Sequence, residues 1–427
     1  MKEDFIHFLW KYRLFQSTDL KTTRGESLQI VTPGIHNKDA GPDFFAAKMY
    51  IDQTLWVGNV EIHINSSDWC KHGHQNDEAY GNIILHVVIN HNQEVKDKNQ
   101  NAIPVLDLSS YFDKNLLGKY EKIINSKTWI PCEKEITHVN PLIITNWLSR
   151  LLVERLENKS DEILKFLRYF EDNWEQTFYY FLARNFGFKV NASPFALVAQ
   201  KTPYKVLARH KFDITQLEAI LFGQAGMLDN KFNEAYPTLL QKEYSFMQHK
   251  YNLQSIDKTL WKMGKLRPGN FPGIRIAQFA MLIHKSSALF SKIIEAENTK
   301  EIYKLFDVQC SPYWNNHYVF DKESVKRSKT LGKSAIENLI INTIVPLKFV
   351  YGMQKLKPDV KEQAIQLLHE LPSEQNTLLR KWEQTGIAAN NAAEGQALLE
   401  LKKYYCTPKK CLNCSIGHFL IRQPASA

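Results

Sequence analysis

Three residues among the first seventy have the types and spacing for metal-dependent chemistry: Asp43, Glu61 and His63. Cleaving a phosphodiester with a divalent ion calls for oxygen ligands, usually carboxylates from neighbouring strands. Asp43 opens one strand-like run, and Glu61 lies on the next. His63 follows Glu61 by two positions, a spacing that returns a strand side chain to the same face. Lys48, on the run that Asp43 opens, is expected to project toward the same site. On this reading Asp43 and Glu61 hold magnesium or manganese, and His63 positions water or completes the coordination. A nitrogen donor favours manganese or zinc over magnesium.

Two further groups invite metal. His36, His63, His72, His74, His86 and His91 lie near Glu61, Asp68 and Asp77 in the sequence, a composition that fits a histidine-rich centre. Within it His86, on an apolar run, is expected as a satisfied core group. His72 and His74, in the tripeptide HGH, are expected in a solvated loop. At the other end of the chain Cys406, Cys411 and Cys414 follow the pattern C-x4-C-x2-C. Such crowding suits zinc or an iron–sulfur cluster, with Cys132, Cys310 or His418 as fourth ligand, and reduced buried thiols are the plain alternative. Lys409 and Lys410 would favour the thiolate forms.

The elements that must position these residues can be read from periodicity. Phe5, Phe8, Leu9 and Tyr12 have helical spacing and predict an amphipathic first helix docked on a sheet. Short β-type runs follow at Ser27–Ile35 and Phe44–Ile51, then a turn at Asp52-Gln53. Leu55–Asn65 alternates cleanly, with Trp56, Val60, Ile62 and Ile64 on one face and Asn59, Glu61, His63 and Asn65 on the other. A short helical stretch leads to Asn82–Asn90, apolar enough for the middle of a sheet, and Ala102–Leu108 makes a trailing strand. From Asn140 the pattern turns helical, including segments at Leu217–Leu221, Ala235–Tyr251 and Ile274–Ile294. The fold class is therefore α+β or α/β: an α-β-β-β-α-β domain over residues 1–125, a mostly α-helical domain over 140–405, and a cysteine tail, 406–427, packed on the helical part.

Net charge is +9, unevenly spread. Residues 1–140 carry 15 basic and 18 acidic side chains, a balance of −3, leaving +12 for the rest. An acidic catalytic part beside a basic part suits DNA or RNA as partner. Lys262, Lys265, Arg267 and Arg275, beside Trp261 and Phe271, are the basic surface expected to follow a phosphate backbone and stack a base. No apolar run is long enough for a membrane span, and no signal-peptide pattern opens the chain, so a cytoplasmic location is expected. Six cysteines in 427 residues do not make a disulfide framework.

The order α-β-β-β-α-β, with Pro42-Asp43 and Glu61-Ile62-His63, resembles the PD-(D/E)xK nucleases over about residues 1–110. The resemblance implies a restriction-endonuclease-like fold and metal-dependent nuclease activity. The family carries lysine where His63 stands, which is why Lys48 is considered as its substitute. Elements W-VGNVEIH-SSDW-HGH, RPGNFP-RIAQ and the YC-C-C ending are similar to an uncharacterised bacterial family known only as a domain of unknown function. The expected function is a metal-dependent nuclease or nucleic-acid-processing protein. The rival is a catalytically inactive adaptor, binding nucleic acid or protein, with a structural metal site.

Overall fold

The structure is a computed structural model in which residues 1–423 are described. It divides into two compact units. The first comprises Met1–Trp147 together with the returning chain from Leu401 onward, and the second is Leu148–Glu400. The cysteine tail thus belongs with the N-terminal unit, contrary to its expected place on the helical part. Within that unit Phe8 and Tyr12 meet the ring of His418 edge-on, at 4.8 and 4.4 Å between centroids.

Unit one is built on a mixed sheet. Strands β1 (Leu28–Thr32), β2 (Ile35–His36), β3 (Phe44–Ile51), β4 (Thr54–Ile62), β5 (Ile83–Val88) and β6 (Val105–Asp107) run in the order β1-β3-β4-β5-β6, with β2 beside β3. The β3–β4 hairpin is antiparallel and turns at Asp52, whose φ of +52° suits a tight turn. Pairs β4–β5 and β5–β6 are parallel, which requires crossovers. The first of these carries α2 (Asp68–Lys71) and two single 3-10 turns.

One face of the sheet is covered by α1 (Glu3–Tyr12). Its Ile6 and Trp10 pack with Phe44, Met49, Val60, Ile62, Leu85, Val87 and Leu106 in one core. Each such side chain taken fully out of water contributes roughly 1.5–3 kcal/mol, so this face orders the unit. A smaller core forms from Trp69, Val88, Val95, Ile103 and Val105, with Tyr80 and Ile83 against it. Trp69 pins the β4–β5 crossover there, its indole N–H donating to the Lys96 carbonyl at 3.1 Å.

Unit two is helical. The boundary falls within the long helix Pro141–Tyr169, and further helices include Trp174–Phe186, Ile214–Gln224, Ala235–Tyr251 and Pro272–Lys285. The single helix expected over Ile274–Ile294 is two. It stops at Lys285 and restarts at Leu289, because Ala288 takes a left-handed φ of +54° that a helix cannot pass through. No helix among the described residues is long and apolar enough to cross a membrane.

Candidate metal centre

Strand register brings the first two members together. Glu61 on β4 pairs with His86 on β5, and the alternation that sends Val60 and Ile62 into the large core turns Glu61 to the opposite face. His63 continues the strand direction, its N–H donating to the Val87 carbonyl at 3.0 Å. All three side chains are nearly inaccessible: Glu61 is 5% exposed, His63 2% and His86 0%.

The crossover supplies the rest. With Trp69 anchored, the chain turns back over the sheet at Gly73, whose φ is +77°. That left-handed turn lets the residues on either side, His72 and His74, both face His63. His63 Nε2 lies 3.0 Å from His72 Nδ1, and His63 Nδ1 lies 2.8 Å from His86 Nε2. His74 Nε2 is 3.3 Å from Glu61 Oε1, and His63 Nε2 is 3.7 Å from the same oxygen. One donor nitrogen from each of His63, His72 and His74 falls within 4.8 Å of the other two. Neighbouring ligands of a tetrahedral ion with bonds of 2.0–2.1 Å sit ~3.3 Å apart, so the closest of these pairs already have a ligand set's spacing. Tyr80 closes the group, its ring stacked on His74 at 3.9 Å.

Asp43 is adjacent but used differently. Its N–H donates to Glu61 Oε2 at 3.2 Å, and its Oδ2 accepts from the Ile62 N–H at 2.9 Å. The same Oδ2 lies 3.2 Å from Nε2 of His7, on α1. Asp43 therefore links the strand pair to α1 and leaves the inner positions to Glu61 and the imidazoles.

Burial governs the electrostatics. Desolvation, then the charge of Asp43, push the Glu61 carboxyl up to about 9, overriding the N–H it accepts. Glu61 is thus a neutral acid at pH 7 unless a cation joins it. Desolvation and the fields of His74 and His72 lower His63 to about 4, and burial beside His63 lowers His86 well below the ordinary range. His7 moves the other way: burial opposes its charge, but the Asp43 carboxylate, helped by Glu3 and Asp4, raises its pKa. Burial, Glu61 and Asp43 together push the Tyr80 hydroxyl up to about 12.

Several expectations change on this geometry. Lys48 is exposed and pairs with Val57, four positions down β4 from Glu61. At 3.3 Å per residue that is about 13 Å, too far for it to stand in for a nuclease lysine. The solvated loop expected for HGH is instead folded over the sheet, with the His74 side chain 11% exposed. His86 is buried as expected, yet it is bonded to His63 and so belongs to the group. Asp68 is outside it, occupied by Asn65 and Lys71. A set of three nitrogens and one carboxylate would suit manganese, iron or zinc better than magnesium. His7 was missed altogether. Its signal was a lone histidine among the apolar residues of the first helix.

In unit two the basic surface loses two members. Arg275 is buried, bonded to Gln278 and Asn270 and set over the Phe188 ring at 4.5 Å. Trp261 is largely buried too, its indole N–H donating to the Ala225 carbonyl at 2.8 Å. Lys262, Lys265 and Arg267 remain exposed.

A family model described as a protein of unknown function, DUF2851, matches residues 3–377. The chain belongs to that family. No curated protein and no solved structure matches it. The matched span contains the whole histidine–carboxylate group and ends before Cys406.

Proposed function

We propose that this DUF2851 member is a metal-dependent phosphodiesterase acting on DNA or RNA, a nuclease-like enzyme. The observation that carries the reading is the convergence of His63, His72 and His74 within 4.8 Å beside the buried Glu61 carboxyl and next to Asp43. The order α-β-β-β-α-β read from the sequence around Asp43 and Glu61, with Glu61-Ile62-His63 in place of the usual acid-x-lysine, resembles that of the PD-(D/E)xK nucleases and supports the reading.

In this reading Glu61, His63, His72 and His74 hold one divalent ion. When bound, the ion supplies charge to the phosphoryl oxygens and acidifies the attacking water. His86 acts through His63: accepting the Nδ1 proton at 2.8 Å fixes the tautomer whose Nε2 lone pair points into the group. His7, held against Asp43 and raised in pKa, is the side chain poised to give a proton to the leaving oxygen. His7 and His36 also line a cleft of about 320 Å³ with Asp4, Lys2, Lys11, Lys409 and Lys410, whose excess of basic groups suits a phosphate backbone.

The test is cleavage of single-stranded and duplex DNA and RNA with manganese, zinc or magnesium. Glu61→Gln keeps the shape and the neutral form of the acid but cannot ligate as a carboxylate. We expect it to lose at least 100-fold in rate while its circular dichroism stays unchanged. Equal cleavage by that variant, or none by the wild type with any of these ions, removes the assignment.

A further inference from the structure

The three cysteines near the C-terminus meet a fourth from far upstream. Lys402 Nζ donates to the Trp129 carbonyl at 2.7 Å, and Lys409 Nζ donates to the carbonyls of Ile124 and Ser126 at 2.6 and 2.9 Å. These bonds lay the 402–410 segment along residues 124–130, directly before Cys132. Cys132, Cys411 and Cys414 are each less than a tenth exposed, and Cys406 is half-buried. The four thiols lie in one another's fields, Cys132 with Cys411 and Cys414, and Cys406 with all three.

Cys414 precedes the C-terminal helix, Ser415–Arg422, with the backbone N–H groups of Ile416 and Gly417 at its sulfur; these favour the thiolate, but burial outweighs them and raises the thiol. Gly417 is required for that approach, since a Cβ there would stand 2.2 Å from the Cys411 carbonyl oxygen. The competing fourth ligands are committed elsewhere. His418 Nε2 bonds the Leu412 carbonyl at 2.5 Å, and the Cys310 thiol, in unit two, faces the Ile274 carbonyl at 3.7 Å.

We propose that Cys132, Cys406, Cys411 and Cys414 form a four-thiolate centre for a thiophilic metal, either one zinc ion or an iron–sulfur cluster. Buried and protonated, the four thiols gain nothing from their nearness, even with Lys402 and Lys409 acting on Cys406 and Cys411. With a metal they release their protons and become one closed coordination sphere. The centre ties the returning tail to the segment after α3 (Lys114–Ile124), so its role is to close unit one, independently of the activity proposed for the histidine group.

Full-length protein purified without oxygen is assayed for zinc, iron and acid-labile sulfide, then for uptake of zinc or of ferrous iron with sulfide. We expect stoichiometric zinc, or iron with matching sulfide and a broad visible absorption. Cys132→Ser, Cys406→Ser, Cys411→Ser and Cys414→Ser each lose it, while Cys70→Ser and Cys310→Ser keep it. Should the serine variants fold poorly, cobalt loading of the wild type decides, because thiolate-to-cobalt charge transfer scales with the number of sulfurs bound. Intensity for four thiolates supports the centre. Intensity for three or fewer, full metal in Cys132→Ser, or no thiol-bound metal under either loading overturns it.

Discussion

Two groups of histidines and carboxylates, one on the sheet and one in the helical unit, contain the same residue types and differ in what their polar atoms face. In the helical unit Glu234, His317 and Glu323 also bring their ligand atoms within 4.8 Å. There, however, the inner atoms of His317 and Glu234 have partners. His317 Nε2 meets Glu234 Oε1 at 3.0 Å and its Nδ1 meets the Tyr313 carbonyl at 3.0 Å, while the Tyr313 hydroxyl donates to Glu234 Oε2 at 2.5 Å. The Tyr313 ring stacks flat on His317 at 4.0 Å. No imidazole lone pair is left over, and the group reads as a satisfied clamp.

On the sheet the accounting does not close. His74 Nε2 lies 3.3 Å from Glu61 Oε1 without a directed hydrogen bond, and His86 Nδ1 has no partner. Leaving such atoms buried and unpaired costs about 1–3 kcal/mol each. An arrangement that also holds a carboxyl neutral at pH 7 is stabilised by a cation and by little else. Proximity of ligating residues is therefore a weak sign of a metal site, and unmet hydrogen-bonding capacity is a stronger one.

The contrast can be broken or sharpened by experiment. The largest effect concerns pH. In metal-free protein the folded Glu61 titrates near 9 and the unfolded one near 4.5, so the native state holds the extra proton in between, and stability falls as pH rises through that window. His63, folded near 4 and unfolded near 6.5, acts oppositely, adding stability as pH rises from 4 to 6.5. Above 6.5 His7 adds a smaller effect of the same sign, while Lys159, lowered to about 7, and Lys348, lowered to about 8, act oppositely. The Glu61 effect is therefore read as a difference: in denaturant unfolding with chelator, the stability of wild type relative to Glu61→Gln should drop by about 3 kcal/mol between pH 6.5 and 9. A difference that does not change with pH would contradict the electrostatics.

A second, smaller effect isolates the support of one ligand. His86→Leu removes the acceptor for His63 Nδ1 without touching the inner nitrogens. Calorimetric titration with zinc or manganese should show affinity weakened about 10–100-fold. Unchanged affinity would make His86 a core residue only. The smallest effect lies in the helical unit, where His317→Ala should cost about 1–3 kcal/mol of stability, read from urea unfolding, and leave ion affinity unchanged.

Much of this was legible in the residues. The run Phe44–Ile51 is a strand over those same residues, and the alternation of Leu55–Asn65 correctly put Glu61 and His63 on one face, because strand parity is a local property. Position along a strand is not local. Lys48 shares the face of Glu61, but register with Val57 carries it away. The HGH tripeptide reads as a loop and is one; what returns it to the sheet is Trp69 burying against Val88 and Val105, a contact between segments about 20 to 35 residues apart. The joining of Cys132 to the tail is still more distant and leaves no trace in periodicity.

The central claim is that the sheet group binds a divalent ion through His63, His72, His74 and Glu61. Its most direct test is zinc and manganese binding by wild type, His74→Ala, His317→Ala and Cys411→Ser, each titrated calorimetrically after chelation and checked by elemental analysis. The account predicts one ion per chain, besides any held by the cysteines, that is lost in His74→Ala and retained in both His317→Ala and Cys411→Ser. Retention of that ion in His74→Ala, or its loss in His317→Ala, would contradict it.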